Sequence, residues 1–577
     1  MSQLHSILRL FAASLFIVGW QSSGVAATNP VDDPSNDGWA TEVTQSQVAA
    51  KWKTLATLFR DESIDSADVS PWVSEKFHGT LMRPNNLTRV FDDRSVSVYR
   101  VGNDDKQEKT QSGVGGFVSA CRSLQMIGRQ DLRHQFKIFR IIETDNRIET
   151  HQHVMFAGRK GTERREMHAV WIASWEVTAE EKNRLKLLEL EVRQYEECRG
   201  PAHPLFSDCT EAVLGSNACF RDQLAFSIDY WSNRLLQVDS SGMQGCAIGD
   251  ANGDGLDDVY LCQSSWLPNR LFLQTQDGRA VDVSAESGVD WHEQSHGALF
   301  IDLDNDGDQD LAISTSLGLL LMENDGKGKF QLRHTAREAS GAYSISAADY
   351  DSDGKLDIFC CVYIPRAVRR QILAAPVPIH DARNGGRNVL LRNDGKWRFL
   401  DVTRETGLEP EATRRSFACT WEDFDNDGDS DLYVSNDYGR NNLFRNEGGK
   451  FTNIANEAGV EDQSFGMSGS WGDPNRDGRM DLYVANMFSA AGNRIVYQPQ
   501  FRPQDSTATR SSLQYMARGN SLFQNQPNGR FSDVSQESNV MLGLWSWACP
   551  FVDVNNDGYE DILVANGYYT RTDTRDL

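Results

Sequence analysis

The chain has 577 residues, of which 82 are acidic and 58 basic, so its formal net charge is −24 at pH 7. This acidity argues against nucleic acids and anionic membrane surfaces as partners, because both would repel the chain. The length allows two or three domains.

The first 45 residues are predicted to precede the folded part of the chain. Arg9, the apolar stretch Leu10–Gly19 and the small residues Val25-Ala26-Ala27 form the pattern of a signal peptide over residues 1–27, with a buried helix as the alternative. Residues 28–45 are polar and are predicted to be a disordered linker. No other long apolar run occurs, so we expect no membrane span after signal cleavage and a secreted, periplasmic or cell-surface protein.

Residues 46–198 are predicted to form a small α+β domain. Ser46 can cap a helix over Gln47–Phe59, in which apolar residues recur at helical spacing: Val48, Trp52, Leu55 and Leu58. Five later runs are rich in β-formers: Val96–Val101, Phe136–Glu143, Ile148–Ala157, Glu166–Val177 and Arg184–Tyr195. A helix followed by long antiparallel strands resembles the cone-shaped NTF2-like fold.

The third and fourth of these runs are predicted to form a hairpin over Gly158–Gly161. If Ala157 pairs with Thr162, His151 faces His168 and His153 faces Glu166 on one side of the sheet. Three imidazoles and a carboxylate suit zinc or iron. A one-residue shift of register would scatter the cluster, so cross-strand polar pairing on a solvated face is the preferred interpretation.

The ten cysteines divide into two groups. Cys198, Cys209 and Cys219 lie in or beside a predicted connector, residues 199–226, and are the better disulfide candidates in a secreted chain. Cys246, Cys419 and Cys549 occupy the same strand position in three later repeats, and we expect them to be small buried hydrophobic residues.

Residues 227–577 contain six copies of one nine-residue loop. Positions 1, 3, 5 and 9 carry acids or amides, and position 6 is always glycine. The candidate metal ligands, copy by copy, are Asp250, Asn252, Asp254 and Asp258; Asp302, Asp304, Asp306 and Asp310; Asp349, Asp351, Asp353 and Asp357; Asp423, Asp425, Asp427 and Asp431; Asp473, Asn475, Asp477 and Asp481; and Asp553, Asn555, Asp557 and Asp561.

The ligand pattern predicts about six Ca²⁺ sites, because calcium takes six to eight oxygen ligands and tolerates irregular geometry. Glycine at position 6 indicates a positive φ, which lets the position-7 carbonyl point inward. An EF-hand shares the first half of this pattern but needs Glu at position 12 and flanking helices. Here position 12 is Leu261, Ile313, Cys360, Val434, Val484 or Val564. β-formers surround each loop, so we expect it to join two strands.

Each loop belongs to a longer unit with four predicted strands. Positions two and four residues before the loop are apolar or small, which indicates a strand with one buried face. A third strand begins at Asn269, Asn388, Asn442 or Asn520, and a fourth contains Val281, Phe399, Phe451 or Phe531. Units that recur every 47–80 residues favour a mainly β fold with a β-propeller of six loop-bearing blades, and a seventh, loop-free blade stays open.

With these motifs the repeat region resembles FG-GAP/VCBS repeats, as in integrin alpha-chain propellers. It more specifically resembles bacterial relatives of cartilage acidic protein, the ASPIC/UnbV group. The resemblance implies a calcium-bound propeller that serves in adhesion or in protein and glycan binding, with no known catalysis. The family ring usually has seven blades, whereas this chain shows six loops. We expect a strand at Asn233–Leu236 to complete the last blade and close the ring.

The predicted function is that of a secreted calcium-binding module for an extracellular or envelope protein or glycan, with an unknown oligomeric state. Its binding surface is expected on the rim opposite the loops or in the insertions 365–387 and 487–518. Aromatic and basic residues in these insertions are Arg366, Arg369, Arg370, Tyr497 and Arg502. The alternative is an extracytoplasmic enzyme with its site in the propeller channel or the α+β domain. No nucleophile motif or phosphate-binding loop supports it.

Overall fold

The computed structural model describes residues 39–60, 64–93, 95–102, 107–144, 146–178, 185–203, 206–235, 244–364 and 375–567. They divide into two compact units. The N-terminal unit contains the residues up to Ser207 together with Ser489–Asp505, and the repeat unit contains Asp208–Phe488 and the residues from Ser506 onward. Antiparallel sheets dominate both units, which confirms the mainly β fold class. The predicted signal peptide and residues 28–38 of the predicted linker lie outside the described residues.

The N-terminal unit combines helices with one eight-stranded sheet. Its helices are α1 (Ala40–Arg60), α2 (Ser66–Val69) and α3 (Gly113–Ser123), with a 3₁₀ turn at Leu124–Ile127 and an insertion helix at Ala490–Val496. Its strands are β1 (Val73–Gly79), β2 (Leu87–Asp92), β3 (Ser97–Val101), β4 (Gln111–Ser112), β5 (Gln130–Glu143), β6 (Arg147–Lys160), β7 (Glu163–Val177) and β8 (Leu185–Pro201). The sheet order is β2-β3-β8-β7-β6-β5, and β1 pairs with β4 and, in parallel, with β8.

The core of this unit lies between α1 and the long strands. Trp52 of α1 is fully buried and packs against Trp171 and Trp175 of β7, with ring centroids 5.4 and 5.3 Å apart. Val48 and Leu55 are buried on the same side of the helix, as the helical spacing predicts. Each such side chain contributes roughly 1.5–3 kcal/mol on burial. The predicted helix and all five predicted strands are present, with several ends longer than expected.

The predicted linker 28–45 is wrong at its C-terminal end, because α1 begins at Ala40 rather than at Gln47. Thr41 and Glu42 of the extra turns are buried. Gln498 donates a hydrogen bond to the Thr41 hydroxyl, and Arg494 pairs with Glu42. Contacts with a segment about 450 residues away in sequence therefore extend the helix, and local polarity could not reveal them.

The predicted hairpin exists, but its register is wrong. Ala157 pairs with Glu166 rather than Thr162, and the strands turn at Gly161-Thr162 after the pair Lys160–Glu163. Gly158 stands within the strand, where a Cβ would come 2.3 Å from the Gly128 carbonyl oxygen. This glycine permits a close backbone approach and does not form the turn.

The repeat unit contains five successive four-stranded antiparallel sheets, which we call blades 1 to 5. Their strands are Cys246–Gly249, Asp258–Leu261, Arg270–Gln274 and Ala280–Asp282; Ser295–Ile301, Asp310–Thr315, Leu319–Asn324 and Phe330–Ala336; Ser344–Ala348, Asp357–Cys361, Val389–Asn393 and Phe399–Asp401; Ser416–Glu422, Asp431–Asn436, Asn442–Asn446 and Phe451–Asn453; and Gly466–Gly472, Asp481–Asn486, Ser521–Asn525 and Phe531–Asp533. First strands of consecutive blades lie side by side, which is the propeller arrangement.

Shorter elements complete the repeat unit. Gly439–Arg440 pairs with Gln463–Ser464, and blade 6 consists of two strand pairs, Ser546–Ala548 with Ala565–Asn566 and Phe551–Val552 with Asp561–Ile562. Its helices are Thr210–Leu214, Ile228–Ser232, Ser284–Ser287, Ala455–Ala458 and Thr507–Met516, with a π-helix at Phe220–Leu224 and 3₁₀ turns at Arg337–Ala339 and Glu409–Glu411. The described residues do not close a ring between blades 6 and 1.

The strand predicted at Asn233–Leu236 is not formed over its described residues, Asn233 to Leu235, which lie in a turn. The Arg234 guanidinium stacks 3.5 Å from the Tyr230 ring centroid, and the Leu235 amide donates to the Trp231 carbonyl. These local contacts extend the preceding helix into a turn instead of an extended strand.

The cysteine predictions are only partly correct. Cys549 is buried, but Cys246 is exposed and Cys419 is half-buried. Cys246 and Ile248 lie on the face of blade 1 away from blade 2, and Ile248 is 64% exposed there. Cys198, Cys209 and Cys219 are free thiols, so the structure does not contain the suggested disulfide.

Candidate metal centres

In blades 1 to 5 the predicted loop connects the first strand to the second, and in blade 6 it connects Phe551–Val552 to Asp561–Ile562. The loop of blade 4, for example, leaves the strand Ser416–Glu422 and enters the strand Asp431–Asn436. Strands on both sides exclude the EF-hand arrangement, which needs helices.

The position-1 aspartate organises the turn in every loop. In blade 4, the amides of Asp427 and Gly428 donate to the two Asp423 carboxylate oxygens over 3.0 Å each. The position-5 carboxylate then accepts from the position-7 amide, as in Asp429 N to Asp427 Oδ1 at 2.9 Å. These bonds fold the backbone around the acidic side chains.

Two positions of each loop adopt a left-handed backbone. The position-6 glycines have φ between 80° and 97°, as predicted. In five of the six, a Cβ would meet no atom within 4 Å, so the conformation and not lack of space requires glycine. Position 4 also has positive φ in every loop, which sequence reasoning missed. The sequence could have indicated this positive φ, because four copies have Gly or Asn at position 4 and Asn tolerates the left-handed region.

The position-9 aspartates of blades 1 to 5 are buried at the base of their loops. In blade 4, Asp431 accepts hydrogen bonds from the Phe424 amide at 3.3 Å and the Asn446 amide at 2.7 Å. Burial raises the pKa of Asp431 to about 8, although these two bonds oppose the shift. Burial likewise raises the pKa of Asp310 and of Asp357 to about 7. A cation beside these carboxylates would favour their charged form.

Three loops bring their carboxylate oxygens close enough to share one ion. The groups are Asp302, Asp304 and Asp306; Asp349, Asp351 and Asp353; and Asp423, Asp425 and Asp431, with one ligand oxygen of each residue within 4.8 Å of the others. Oxygens bound to one calcium at about 2.4 Å can be at most about 4.8 Å apart, so this spacing fits the ion.

Three residues of these groups each have a buried oxygen without a hydrogen-bond partner among the described residues: Asp302 Oδ1, Asp304 Oδ1 and Asp351 Oδ1. A buried, unpaired carboxylate oxygen costs free energy unless a cation or a donor faces it. The donor set is oxygen only, which suits Ca²⁺ and excludes the soft ligand sets of zinc and copper. The residues present therefore fit calcium.

The other three loops have Asn at position 3. Asn252 donates to the Asp254 carboxylate at 3.1 Å, and Asn475 donates to Asp481 at 3.1 Å. In blade 5 a basic residue at position 7, Arg479, also pairs with the position-5 carboxylate of Asp477. These loops offer an ion three ligand carboxylates instead of four.

A further group of functional residues links neighbouring loops and was missed from the sequence. The last Asn of the third strand donates through Nδ2 to the position-2 carbonyl of the preceding blade's loop. The four bonds are Asn324 to Ala251 (2.8 Å), Asn393 to Leu303 (2.8 Å), Asn446 to Tyr350 (2.7 Å) and Asn525 to Phe424 (2.9 Å). The recurrence of Asn at the end of the third strand could have indicated this shared structural role.

The histidine hairpin does not assemble the suggested zinc or iron ligand set. His151 lies opposite Ile172 and bonds to Glu149, whereas His168 lies opposite Met155 and bonds to Glu166. His153 stacks on Phe139 with centroids 4.5 Å apart, and burial lowers its pKa to about 4. Among the described residues, the groups that could hold an ion consist of aspartates alone. His151 and His168 each bond to a glutamate of their own strand, so the expected cross-strand polar pairing is not found for these two histidines.

The insertion 487–518 is largely structured. Tyr497 is 45% exposed, with the Arg140 guanidinium 4.3 Å from its ring centroid, and Arg502 pairs with Asp505. Arg366, Arg369 and Arg370 of the other insertion lie outside the described residues. No helix in the described part of the chain is long and apolar enough to cross a membrane.

A family model described as an FG-GAP-like repeat matches residues 250–313, 302–360 and 423–484. Each match contains two of the loops, so the chain carries FG-GAP-like repeats in this region. It is related to cartilage acidic protein 1, being 27% identical to the human protein over 202 residues, which cover 34% of this chain and 28% of that one. The Xenopus tropicalis protein is 29% identical over 126 residues, 21% of this chain and 19% of its own length.

The matched part of the chain thus spans less than a third of these relatives. Among solved structures, an Agrocybe aegerita lectin that recognises non-reducing terminal N-acetylglucosamine matches 57% of this chain and 77% of its own, at 14% identity. The TM-score of this match is 0.32.

Proposed function

We propose that this protein is an extracellular, calcium-binding adhesion module that recognises a protein or glycan partner and has no catalytic role. Two observations on the loops support calcium binding. Carboxylate oxygens of three residues in one loop lie close enough together to bind one ion, and some carboxylate oxygens of these loops are buried without a hydrogen-bond partner among the described residues. The FG-GAP-like repeats and the likeness to cartilage acidic protein 1 support the adhesion part and the extracellular location.

Calcium would act here as a structural ion. When bound, it neutralises the carboxylates that each turn gathers, and so removes the repulsion between them. Positions 1, 3, 5 and 9 would hold it, with the position-7 carbonyl as a further oxygen ligand. Loops of this extracellular type bind with Kd of about 10⁻⁴–10⁻³ M, which matches calcium concentrations outside the cytoplasm.

Rigid loops would hold the blades in register for binding. The position-2 carbonyl of a loop accepts from the next blade, so an ordered loop also orders its neighbour. A rigid scaffold loses little conformational freedom when a partner binds, which favours affinity. This is the role that we assign to the metal centres.

The experiment is a count of calcium per chain by native mass spectrometry, after exchange into buffer with millimolar Ca²⁺. We expect about six ions in the wild type. The double variant Asp423→Asn/Asp425→Asn should lose one ion, because it removes two of four carboxylates from one loop. The control Asp394→Asn/Asp277→Asn, outside the loops, should retain all ions. A wild type that binds none would contradict the proposal.

A further inference from the structure

A cavity of about 200 Å³ lies in the repeat unit, beside blade 1. Gln244 precedes the first strand of this blade, and Gln263 follows the second. The first strand runs from this end toward the loop at Asp250, so the cavity lies at the end of the blade opposite the metal centre. Phe226 and Trp231 reach it from the segment that precedes the blade.

The cavity combines two aromatic rings with three amides. Phe226 is 39% exposed, and its ring stacks on Tyr230 with centroids 4.0 Å apart. Trp231 is half-buried and stands edge-on to Phe226, with centroids 5.9 Å apart. The remaining lining residues are Gln223, Gln244, Gln263, one serine and two leucines, so no lining residue is charged.

The amides differ in whether their hydrogen bonds are satisfied. Gln223 is fixed: its Nε2 donates to Gln263 Oε1 and the Pro268 carbonyl, and its Oε1 accepts from Arg270. Gln244 Nε2 is buried and has no hydrogen-bond partner among the described residues. A buried amide donor without a partner costs free energy, so a ligand oxygen that accepts from it would be stabilised.

A cavity lined by aromatic rings and amides favours a neutral ligand ring that has both apolar and polar groups. Binding sites are concave and mostly apolar, with a few polar groups that fix orientation. The volume corresponds to roughly seven water molecules at about 30 Å³ each, which suits one sugar ring and is below the about 300–1,000 Å³ of drug-sized sites. The uncharged lining disfavours acidic or basic ligands, because it offers no partner for a charge taken out of water.

We propose that this cavity binds a single neutral hexopyranose unit of a glycan. The C–H face of the sugar packs on Trp231 and Phe226, and a hydroxyl oxygen accepts from Gln244 Nε2. This inference rests on the proposed function and narrows it to one partner class and one site.

The test uses the full chain in millimolar Ca²⁺, with the methyl glycosides of glucose, galactose, mannose and N-acetylglucosamine as probes and ligand-observed NMR as the readout. We expect at least one glycoside to bind in the millimolar range. Trp231→Ala should weaken it by about tenfold or more, because the packing face is lost. Trp231→Phe should retain most of the affinity. Gln244→Ala should weaken binding by about threefold to tenfold, the value of one hydrogen bond.

The matched controls are Trp266→Ala, an exposed tryptophan outside the cavity, and Gln331→Ala, an exposed glutamine of blade 2. Both should bind as the wild type does, and the melting temperature of each variant checks its folding. The inference is overturned if no glycoside binds the wild type, or if Trp231→Ala and Gln244→Ala, both folded, bind unchanged. The calcium count on the same preparation tests the proposed function separately. A protein that binds calcium but no glycoside can therefore be distinguished from one that binds no calcium.

Discussion

At the scale of single residues, the loops depend on backbone conformation as much as on ligand chemistry. Gly354 has φ of 84°, and a Cβ there would meet no atom within 4 Å. The adjacent Asp353 and Gly354 amides both donate to Asp349, so the positive φ is needed to aim two donors at one carboxylate. Any loss of stability caused by a side chain at position 354 therefore comes from the left-handed backbone conformation and not from a steric clash.

The substitution Gly354→Ala should destabilise the protein by about 1–2 kcal/mol, the cost of a left-handed conformation for an L-residue. Gly354→Asn should cost less, because Asn tolerates this region. The measurement is the free energy of unfolding in urea with millimolar Ca²⁺. Equal stability of all three proteins would show that the loop can relax without glycine.

The Asp437 carboxylate of blade 4 gives a pH dependence that does not involve the carboxylates of the acidic loops. Asp437 is buried and accepts a hydrogen bond from the Tyr363 hydroxyl at 2.5 Å. Burial raises its pKa to about 7, while Tyr363 and the nearby Arg415 oppose the shift. In the unfolded chain the pKa is near 3.9. Between about pH 4 and pH 7 the folded state alone holds the proton, so this group stabilises the fold increasingly as pH falls.

Asp437→Asn should remove this dependence. The variant should gain stability relative to the wild type as pH rises from 4 to 7, by up to about 1.4 kcal/mol per pH unit, and the difference should level off above pH 7. Urea unfolding from pH 4 to pH 8 in calcium-free buffer measures it. If the free energies of unfolding of the two proteins differ by the same amount across this pH range, Asp437 does not titrate as described.

At the scale of elements, blades are joined through their loops. The Asn446 amide of blade 4 donates to the Tyr350 carbonyl of the blade 3 loop at 2.7 Å and to Ser430 of its own loop at 3.1 Å. Its side-chain oxygen accepts from the Gly449 amide. Asn446 is fully buried, so each lost bond leaves a buried group unpaired. The acidic loops of adjacent blades are thus coupled by one side chain.

Asn446→Ala should lower the free energy of unfolding by about 2–4 kcal/mol, because several buried polar groups lose their partner. It should also weaken calcium binding in the loops of blades 3 and 4, which isothermal titration can detect. The control Asn456→Ala changes an exposed residue of the same blade and should alter stability by less than about 0.5 kcal/mol. A variant as stable as this control would show that the bond between blades is dispensable.

The N-terminal unit is completed by an insertion from blade 5. Arg494 of the insertion helix donates to both carboxylate oxygens of Glu42, over 2.9 and 2.6 Å, and both side chains are nearly buried. It also donates to the Ile138 carbonyl of β5. A buried pair of this kind is costly to break from one side, because the remaining charge loses its partner.

Arg494→Met should therefore destabilise the N-terminal unit by about 3–5 kcal/mol, and the double variant Arg494→Met/Glu42→Gln should recover part of that loss. The matched control is Arg89→Met, which breaks the exposed pair with Asp92 and should cost at most about 1 kcal/mol. Urea unfolding followed by tryptophan fluorescence measures these three variants and the single variant Glu42→Gln. Strict additivity of the two single changes would contradict a direct coupling of Arg494 and Glu42.

At the scale of the whole molecule, charge and calcium are linked. Six calcium ions would halve the net charge of −24. At millimolar calcium, each site with Kd of about 10⁻⁴–10⁻³ M would stabilise the fold by roughly 0.4–1.4 kcal/mol. Six such sites together contribute on the order of 2–8 kcal/mol, which is comparable with the stability of an ordinary domain.

Chelation with EGTA should lower the melting temperature of the repeat unit by several degrees or more, since about 1 kcal/mol shifts the midpoint of a large domain by roughly 2–4 °C. Differential scanning calorimetry with and without EGTA measures the shift, and magnesium in place of calcium is the control. A melting temperature indifferent to EGTA would contradict calcium as a structural ion.

The sequence by itself determined what depends on local pattern. The repeated loop residues, such as Asp423 and Gly428, predicted a turn between two strands, and the spacing of Val48, Trp52 and Leu55 predicted a helix. Both are local consequences of backbone conformation and of which face is buried, so no distant residue is needed to derive them.

Only the tertiary structure decided the features that join segments distant in the chain. The hairpin packs Gly158 against the backbone of Gly128, and the first turn of α1 pairs with Arg494. Ile248 is exposed although its equivalents in other blades are more buried, because the first strand of blade 1 has a neighbour on one side only among the described residues. Such contacts depend on which surfaces meet in space, and no local sequence pattern records that.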